Sequence, residues 1–285
     1  MASTQVLPTD SVLAYHNYAF DSGIAVIDVS SETLFFPAKN VLDPRVGRTW
    51  RTSSNTNASS EYVSIDLGTS ITLKMLAILG SNLLSGSSVI LTGSTKKDFT
   101  SPFQTWTYAA YAQSAAKVVR FYIGKDDASA VQSQVYRYWR VKITTRIGTA
   151  LQINDTFLEI GSLWFDGGFV TLSTALGVQI KEVDNSVTDI SAGGMKLITQ
   201  NRIYHEIDLT FPFVDETTLY GTLKNELNAR AAASYFIYDL YAPSTNATKK
   251  ANGCYFCNIA KADFEIGLHW IATGDLRLTL AEVQG

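Results

Sequence analysis

The feature that most limits how this chain can fold is a two-residue alternation of apolar and polar side chains. In the segment Tyr62–Gly68, one polar residue separates each of the apolar residues Val63, Ile65 and Leu67. The segment Arg137–Thr145 repeats this pattern. Successive side chains of a β-strand point to opposite faces, so the alternation predicts strands with one buried and one solvated face.

Turn-forming residues divide the segment Val41–Phe165 into short extended pieces. About six or seven strands fit into it, with a turn signal roughly every ten residues and no convincing helix, which is typical of a β-sandwich. Leu73–Leu79 is almost continuously apolar and is therefore predicted to be a central strand covered on both faces. Ser94–Ala116 is interpreted as a long polar and aromatic connection between strands.

Several short motifs occur in an order that resembles the discoidin, or coagulation-factor type C, jelly roll, also called the galactose-binding-like domain. They are Asn-Val-Leu-Asp with Thr-Trp-Arg (40–51), Tyr-Val-Ser-Ile-Asp-Leu-Gly (62–68), the strand 89–94, Tyr-Trp-Arg-Val (138–141) and Leu-Glu-Ile-Gly (158–161). The resemblance covers about residues 30–166 and implies a jelly-roll β-sandwich. The form Leu-Asp-Pro-Arg-Val-Gly-Arg-Thr-Trp-Arg-Thr (42–52) looks most like the version found in bacteriophage tail proteins.

The residue pattern after Gly168 differs from that of the preceding segment. Arg202–Phe213 alternates, and Pro212 within it predicts that this strand either lies at a sheet edge or is ending. Leucines spaced four apart predict one amphipathic helix at about 215–232. With its strand–helix–strand core, a Leu-Tyr-Ala-Pro turn (240–243) and a terminal Leu-x-Leu-x-Glu-Val (278–283), this part resembles phage tail-tube and distal-tail ring domains. The predicted fold is therefore mostly β: an N-terminal arm with the first strands (1–29), a discoidin-like jelly roll (30–166), and a small β-rich, ring-forming domain with one helix (167–285).

The composition limits the classes of partner. With 23 basic and 26 acidic residues the net charge is −3, which argues against a nucleic acid or an anionic membrane held by bulk electrostatics. No secretory signal is visible at the start, and the longest apolar runs are far shorter than a membrane span. These features predict a soluble protein made in a cytoplasm. The resemblance to phage tail proteins implies that this cytoplasm is that of a bacterial host and that the protein is carried in the tail of a virion.

No residue pattern in the chain predicts catalysis. Cys254 and Cys257 lie in a segment that reads as a strand, where residues three apart point to opposite faces, so the two thiols should not meet. A structural zinc site needs four ligands, and no second cysteine pair or close histidine pair exists. We expect no enzyme activity, no cofactor and no metal site, although the resemblance leaves calcium near Asp43 as an open alternative.

The residues proposed to contact a ligand or partner come from the aromatic connection and from the arginine-bearing loop. Flat aromatic side chains stack on sugars and also anchor protein interfaces. The candidates are Trp106, Tyr108 and Tyr111, with Arg45 and Arg48 as polar partners. Three of the other tryptophans, Trp50, Trp139 and Trp164, are predicted to be core residues.

The function predicted from these features is structural. The chain is expected to be a virion protein of a tailed bacteriophage that assembles as a homo-oligomeric ring in the tail tip or baseplate, in contact with other tail proteins. Two alternatives stay open: a carbohydrate-binding adhesin that recognises a host surface glycan, and a head or collar decoration protein.

Overall fold

The computed structural model describes residues 11–53, 60–83, 87–100, 103–109, 118–126, 135–145, 157–172, 178–184, 186–190, 196–199, 203–215, 225, 235–260, 266–269 and 273–283. These residues form mostly β-structure, in two compact units. The first unit comprises residues 1–171 and 236–256, and the second comprises 172–235 and 257–284. No helix among the described residues is long and apolar enough to cross a membrane.

The strands in chain order are β1 Ser11–Ala14, β2 Ala25–Val29, β3 Trp50–Arg51, β4 Glu61–Thr72, β5 Met75–Leu79, β6 Ser88–Ser94, β7 Phe103–Ala109, β8 Val118–Tyr122, β9 Val135–Thr145, β10 Glu159–Ile160, β11 Ser162–Asp166, β12 Phe169–Leu172, β13 Val178–Asp184, β14 Val187–Ile190, β15 Lys196–Thr199, β16 Ile203–Asp215, β17 Tyr235–Asp239, β18 Cys254–Ile259, β19 Ile266–His269 and β20 Thr273–Glu282. Among the described residues, short 3-10 helices lie at Tyr18–Phe20 and Ala38–Leu42, and an α-helix, α1, lies at Ala247–Asn252.

Two sheets of the first unit form the predicted β-sandwich. One has five strands in the order β2-β4-β9-β6-β7, and the other has three in the order β11-β5-β8. The described strands of these sheets pair antiparallel, and strands that are neighbours in a sheet are often distant in sequence, as in a jelly roll. The prediction of a mostly β chain with a jelly-roll sandwich is confirmed.

The alternation seen in the sequence determines which face of the five-stranded sheet is buried. Val63 lies opposite Val141, and Ile65 lies opposite Trp139, where β4 pairs with β9. All four of these side chains are buried in the sandwich core. Trp50, Trp139 and Trp164 are also buried, so the prediction that they pack internally is confirmed.

The segment interpreted as a connection contains a strand. β7 pairs with β6 over seven consecutive residues, from Phe103 opposite Ser94 to Ala109 opposite Ser88. Its residues alternate between exposed and buried, with Trp106 and Tyr108 pointing into the core. Threonine and aromatic residues suit a half-buried strand, and pairing with β6 places this segment in one.

The three-stranded sheet is covered on both faces, as the apolar run at 73–79 predicts. Every residue of β5, β8 and β11 is buried. One face packs into the sandwich core, and residues of β17 and β18 contact the other: Trp164 meets Phe256 edge-on, and Arg120 meets Asp239. Strand β1 pairs with β17 in this additional layer.

The arginine-bearing loop at 43–48 is held by close packing of its backbone. A Cβ atom added to Gly161 would lie 2.3 Å from the carbonyl oxygen of Val46, which leaves room only for glycine. Gly80 has a φ of +57° and would place a Cβ 2.2 Å from a methyl carbon of Val46. The loop therefore has a fixed position beside the ends of β5 and β10.

The second unit contains a sheet in which β16 is an interior strand. β16 pairs with β13 on one side and with β20 on the other, so it is not a sheet edge. The alternative, that the strand is ending near Pro212, agrees with its last residue, Asp215. Pro212 is accommodated because the register with β20 shifts between Phe211 and Val214. β19 also pairs with β20, and β14 and β15 form a separate two-stranded sheet.

The two units do not coincide with the domains predicted at 1–29, 30–166 and 167–285. Residues 236–256 belong to the first unit together with the sandwich. The helix predicted at about 215–232 falls almost entirely outside the described residues. α1 at Ala247–Asn252 was not predicted; Asn246 begins it by accepting a hydrogen bond from the backbone N–H of Lys249.

Candidate functional site

The structure places two of the predicted contact residues where no ligand can reach them. The side chains of Trp106 and Tyr108 are 0% and 1% exposed. Trp106 stacks on Trp139 with ring centroids 5.9 Å apart, and Tyr108 stacks on Phe121 at 4.6 Å. This corrects the surface position expected for both residues. Tyr111 lies outside the described residues.

The two predicted arginines are on the surface and surround Asp43. Arg45 and Arg48 have side chains that are 60% and 57% exposed. The Nε of Arg45 donates to Oδ1 of Asp43 at 2.8 Å, while Nη1 of Arg48 lies 3.6 Å from Oδ2. The hydrogen bond from Arg45 lowers the pKa of Asp43, against the effect of its partial burial. Because its carboxylate already holds two guanidinium groups, a cation at Asp43 would have to displace them. Among the described residues no group of three or more histidines, cysteines or carboxylates could hold a metal ion.

A different surface has the strongest marks of a binding site. Residues 33–36 form a tight turn in which Thr33 and Phe36 make a β-bridge, closed by a hydrogen bond of 3.1 Å from the N–H of Phe36 to the carbonyl of Thr33. The tip of the turn carries Leu34 and Phe35, which are 88% and 83% exposed. Two adjacent, strongly exposed apolar side chains indicate a contact surface, whereas isolated exposed apolar residues are common and do not.

Arg51 lies at the base of this turn. Its backbone carbonyl accepts from the N–H of Thr33 at 3.0 Å, and its N–H donates to the carbonyl of Phe36 at 3.1 Å. The guanidinium group is stacked between the rings of Phe36 and Phe157, at 4.1 Å from each centroid. Its Nη2 lies 3.3 Å from a carboxylate oxygen of Glu159. Arg51 is thus fixed in orientation by two rings and one carboxylate.

The hydrogen-bonding capacity of this region is not used up. Within the described part of the chain, Nε of Arg51 and Oγ1 of Thr33 are buried atoms with no hydrogen-bond partner. Buried polar atoms in proteins are nearly always paired, so these two atoms are exceptions. We call the surface formed by Leu34, Phe35, Arg51, Phe157 and Glu159 the Phe35 surface.

The Phe35 surface stands on a rigid base. The carbonyl of Ser31 accepts from Nε1 of the buried Trp50 at 3.0 Å, and the hydroxyl of Ser31 donates to Glu61 at 2.9 Å. Glu32 accepts from the backbone N–H of Ala38 at 2.6 Å. Because its flanks are anchored, the turn requires little ordering when a partner binds. Sequence reasoning missed this surface, although the run Leu34-Phe35-Phe36 before a proline lies outside any alternating strand.

Another cluster of charged residues is enclosed within the first unit. Arg120 and Asp239 are both 0% exposed and form an ion pair, and the hydroxyl of Tyr122 donates to the same carboxylate at 2.8 Å. Burial raises the pKa of Tyr122 well above its usual range and also raises that of the nearby Cys254 thiol. Burial lowers the pKa of Lys125, which donates to the carbonyl of Ala242. This cluster is closed to solvent and joins β8 to β17, so its role is structural.

Cys254 and Cys257 are both buried in β18 and form no disulfide with each other, as expected for thiols in a strand. His16 contacts Asp21 at 3.0 Å, and His205 contacts Glu282 at 2.5 Å. None of these groups lies at the Phe35 surface. The described residues offer there an exposed ring, a stacked guanidinium group and a carboxylate, which is an arrangement suited to binding.

No protein-family model matches the chain, and no curated protein matches it. Several solved structures are similar. Chitosan-binding module 1 of a chitosanase/glucanase from Paenibacillus sp. IK-5 is 16% identical, with a TM-score of 0.40 over 54% of this chain and 100% of that one. CBM32-3 of a family 31 glycoside hydrolase from Clostridium perfringens is 13% identical, with a TM-score of 0.41 over 54% and 95%. The family 32 module of NanJ from C. perfringens, solved with galactose, is 14% identical, with a TM-score of 0.38 over 54% and 98%.

Proposed function

We propose that this chain is a non-catalytic glycan-binding protein and that the sugar binds at the Phe35 surface. The observation that supports this proposal is an aromatic ring, Phe35, that is 83% exposed at the tip of a turn whose base holds the Arg51 guanidinium between the rings of Phe36 and Phe157. The C–H face of a hexose stacks on Phe35. Arg51 donates hydrogen bonds to the hydroxyl groups of the sugar, and Glu159 accepts hydrogen bonds from them.

The arrangement of charges favours a neutral sugar. The positive charge of Arg51 is balanced by Glu159, with the closest atoms 3.3 Å apart. Glu32 and Glu61 lie on the same base, where they cap Ala38 and bind Ser31. An added carboxylate or sulfate would meet this excess of negative charge, because like charges in proximity are unfavourable.

The prediction concerns the exposed ring. Phe35→Ala is expected to weaken glycan binding about tenfold to a hundredfold, because an aromatic side chain at the centre of a binding surface contributes about 1.4–3 kcal/mol. The measurement is a glycan array followed by calorimetry on the best sugar. Phe103→Ala is the matched control, since Phe103 is also an exposed phenylalanine, at 53%, but lies on β7. An array without any bound sugar, or equal affinities of the two variants, would show that the proposal is wrong.

A second candidate function is that of a structural subunit in a bacteriophage tail. The resemblance of residues 42–52 to phage tail proteins supports it. Strand β13 supports it as well, because its mostly exposed residues could contact another subunit. This role is compatible with glycan binding, which would bring the tail to a host surface.

The tail role is tested on whole particles. Antibodies raised against the chain are expected to label the tail tip in electron micrographs of purified phage. Labelling of the head or the collar would instead support a decoration protein. If mass spectrometry finds no copies of the chain in purified particles, the structural role is excluded while glycan binding is still testable on the isolated protein.

A further inference from the structure

Strand β13 ends its sheet with a long and regular edge. It pairs with β16 through seven consecutive residues, from Val178 opposite Leu209 to Asp184 opposite Ile203, and no bulge interrupts the register. Among the described strands, β16 is the neighbour with which β13 pairs. A regular strand at the end of a sheet presents a row of N–H and C=O groups that can pair with another strand.

Both faces of β13 are open as well. Gln179 and Lys181 point to one side and Ile180 and Glu182 to the other, and all four are exposed. Ile180 is 37% exposed although it is a large β-branched residue. The strand therefore gains little from burial and is held mainly by its ladder with β16.

Two of the usual protections of an edge strand, proline and a bulge, are missing from β13. The strand does carry Lys181, Glu182 and Asp184, and such charges limit the registers in which a neighbour can pair. Nζ of Lys181 contacts Asp208 on β16 at 2.7 Å, a hydrogen bond that raises the pKa of the lysine. A neighbouring strand can therefore pair with this edge in a register that keeps like charges apart.

We propose that β13 pairs antiparallel with β13 of a second copy of this chain, across a two-fold axis at Ile180. A two-fold axis perpendicular to a sheet places one residue opposite its own copy. Centring the pair on Lys181 would oppose two ammonium groups, and centring it on Glu182 would oppose two carboxylates, both of which are destabilising. Centring it on Ile180 opposes two apolar side chains and puts Gln179 opposite Lys181.

This register is the longest within β13 that avoids placing like charges opposite each other. It pairs residues 178–182 of each copy, whereas a pair centred on Gln179 would use residues 178–180 only. The inference deepens the structural role proposed for the chain, since it names the surface through which one subunit meets another. A five-residue edge buries little area, so we expect a weak dimer with a dissociation constant on the order of micromolar.

The decisive experiment uses disulfide trapping in the full chain. Directly opposite residues in an antiparallel pair have Cβ atoms about 4.5–5.5 Å apart, close to the distance that a disulfide requires. Ile180→Cys is therefore expected to give a covalent dimer under mild oxidation. Ile190→Cys is the control, because Ile190 is more exposed, at 74%, but lies on β14. The native cysteines are both buried. Equal cross-linking of the two variants would reflect random collision and would overturn the proposal.

A second variant removes the contact without cross-linking. Ile180→Lys puts two ammonium groups opposite each other and is expected to make the chain monomeric in sedimentation velocity runs, with an unchanged circular dichroism spectrum. A wild-type chain that stays monomeric at the highest reachable concentration would also overturn the proposal. Glycan binding by Ile180→Lys separates the two functions: retained binding shows that a failure at β13 leaves the Phe35 surface intact.

Discussion

Asp239→Ala is expected to lower the free energy of unfolding by about 3–5 kcal/mol, the range found when one partner of a buried ion pair is removed. The carboxylate of Asp239 accepts from Arg120, from the hydroxyl of Tyr122 at 2.8 Å and from the N–H of Tyr241 at 3.1 Å. Arg120 is 0% exposed, so the variant leaves a guanidinium group in the interior without its carboxylate. The measurement is urea unfolding followed by tryptophan fluorescence and circular dichroism.

A matched variant separates the loss of charge balance from the loss of packing. The triple replacement Arg120→Met, Tyr122→Phe and Asp239→Leu substitutes apolar side chains of similar size for the whole buried network. Replacing a buried ion pair in this way is often neutral or stabilising, so the triple variant should recover most of the stability lost in Asp239→Ala. If the single and triple variants unfold at the same urea concentration, the network does not join β8 to β17 as described.

The sandwich could be predicted from the sequence because the residues that determine each of these strands are close together in the chain. Each of Val63, Ile65 and Leu67 is separated by one residue from the next, and all three are buried on the same face of β4. The continuous apolar run in β5 likewise corresponds to a strand with both faces covered. The two-residue period of apolar side chains predicts their burial correctly here, because the pleat of a strand directs alternate side chains to opposite faces.

Strand β7 was missed because its conformation depends on pairing with β6 and cannot be inferred from its own residues. Phe103–Ala109 mixes two threonines and a glutamine with aromatic residues, a composition shared by strands and by ligand-binding loops. Only pairing with β6 turns Trp106 and Tyr108 inward. The edge predicted at β16 failed for a similar reason, since the register with β20 shifts beside Pro212 and tolerates it within an interior strand.

The Phe35 surface and the buried network depend on residues far apart in the chain. Arg51 and Glu159 are 108 residues apart in sequence, and Arg120 and Asp239 are 119 apart. No periodicity relates such positions, so their proximity is decided by the topology of the sandwich. The sequence did contain one local sign, the two adjacent apolar residues Leu34 and Phe35 in a short turn, which no amphipathic pattern explains.

The tryptophan that the sequence assigned to sugar binding should act through stability. Trp106→Ala is expected to lower the free energy of unfolding by about 3–5 kcal/mol, as is typical when a buried tryptophan is replaced by alanine. The side chain is 0% exposed and stacks on Trp139, which itself contacts Tyr136 edge-on. Its removal leaves a cavity between two sheets whose strands cannot close onto it without breaking their ladders.

Comparison with Phe35→Ala makes this prediction specific. Phe35 is 83% exposed, so its replacement should leave urea unfolding nearly unchanged while weakening glycan binding. Trp106→Ala should do the reverse at temperatures where it stays folded: stability falls and the affinity of the folded fraction is kept. Trp106→Phe fills more of the cavity and should lie between wild type and alanine in stability. If Trp106→Ala abolishes glycan binding with an unchanged unfolding curve, Trp106 contacts the ligand and the core position derived for it is wrong.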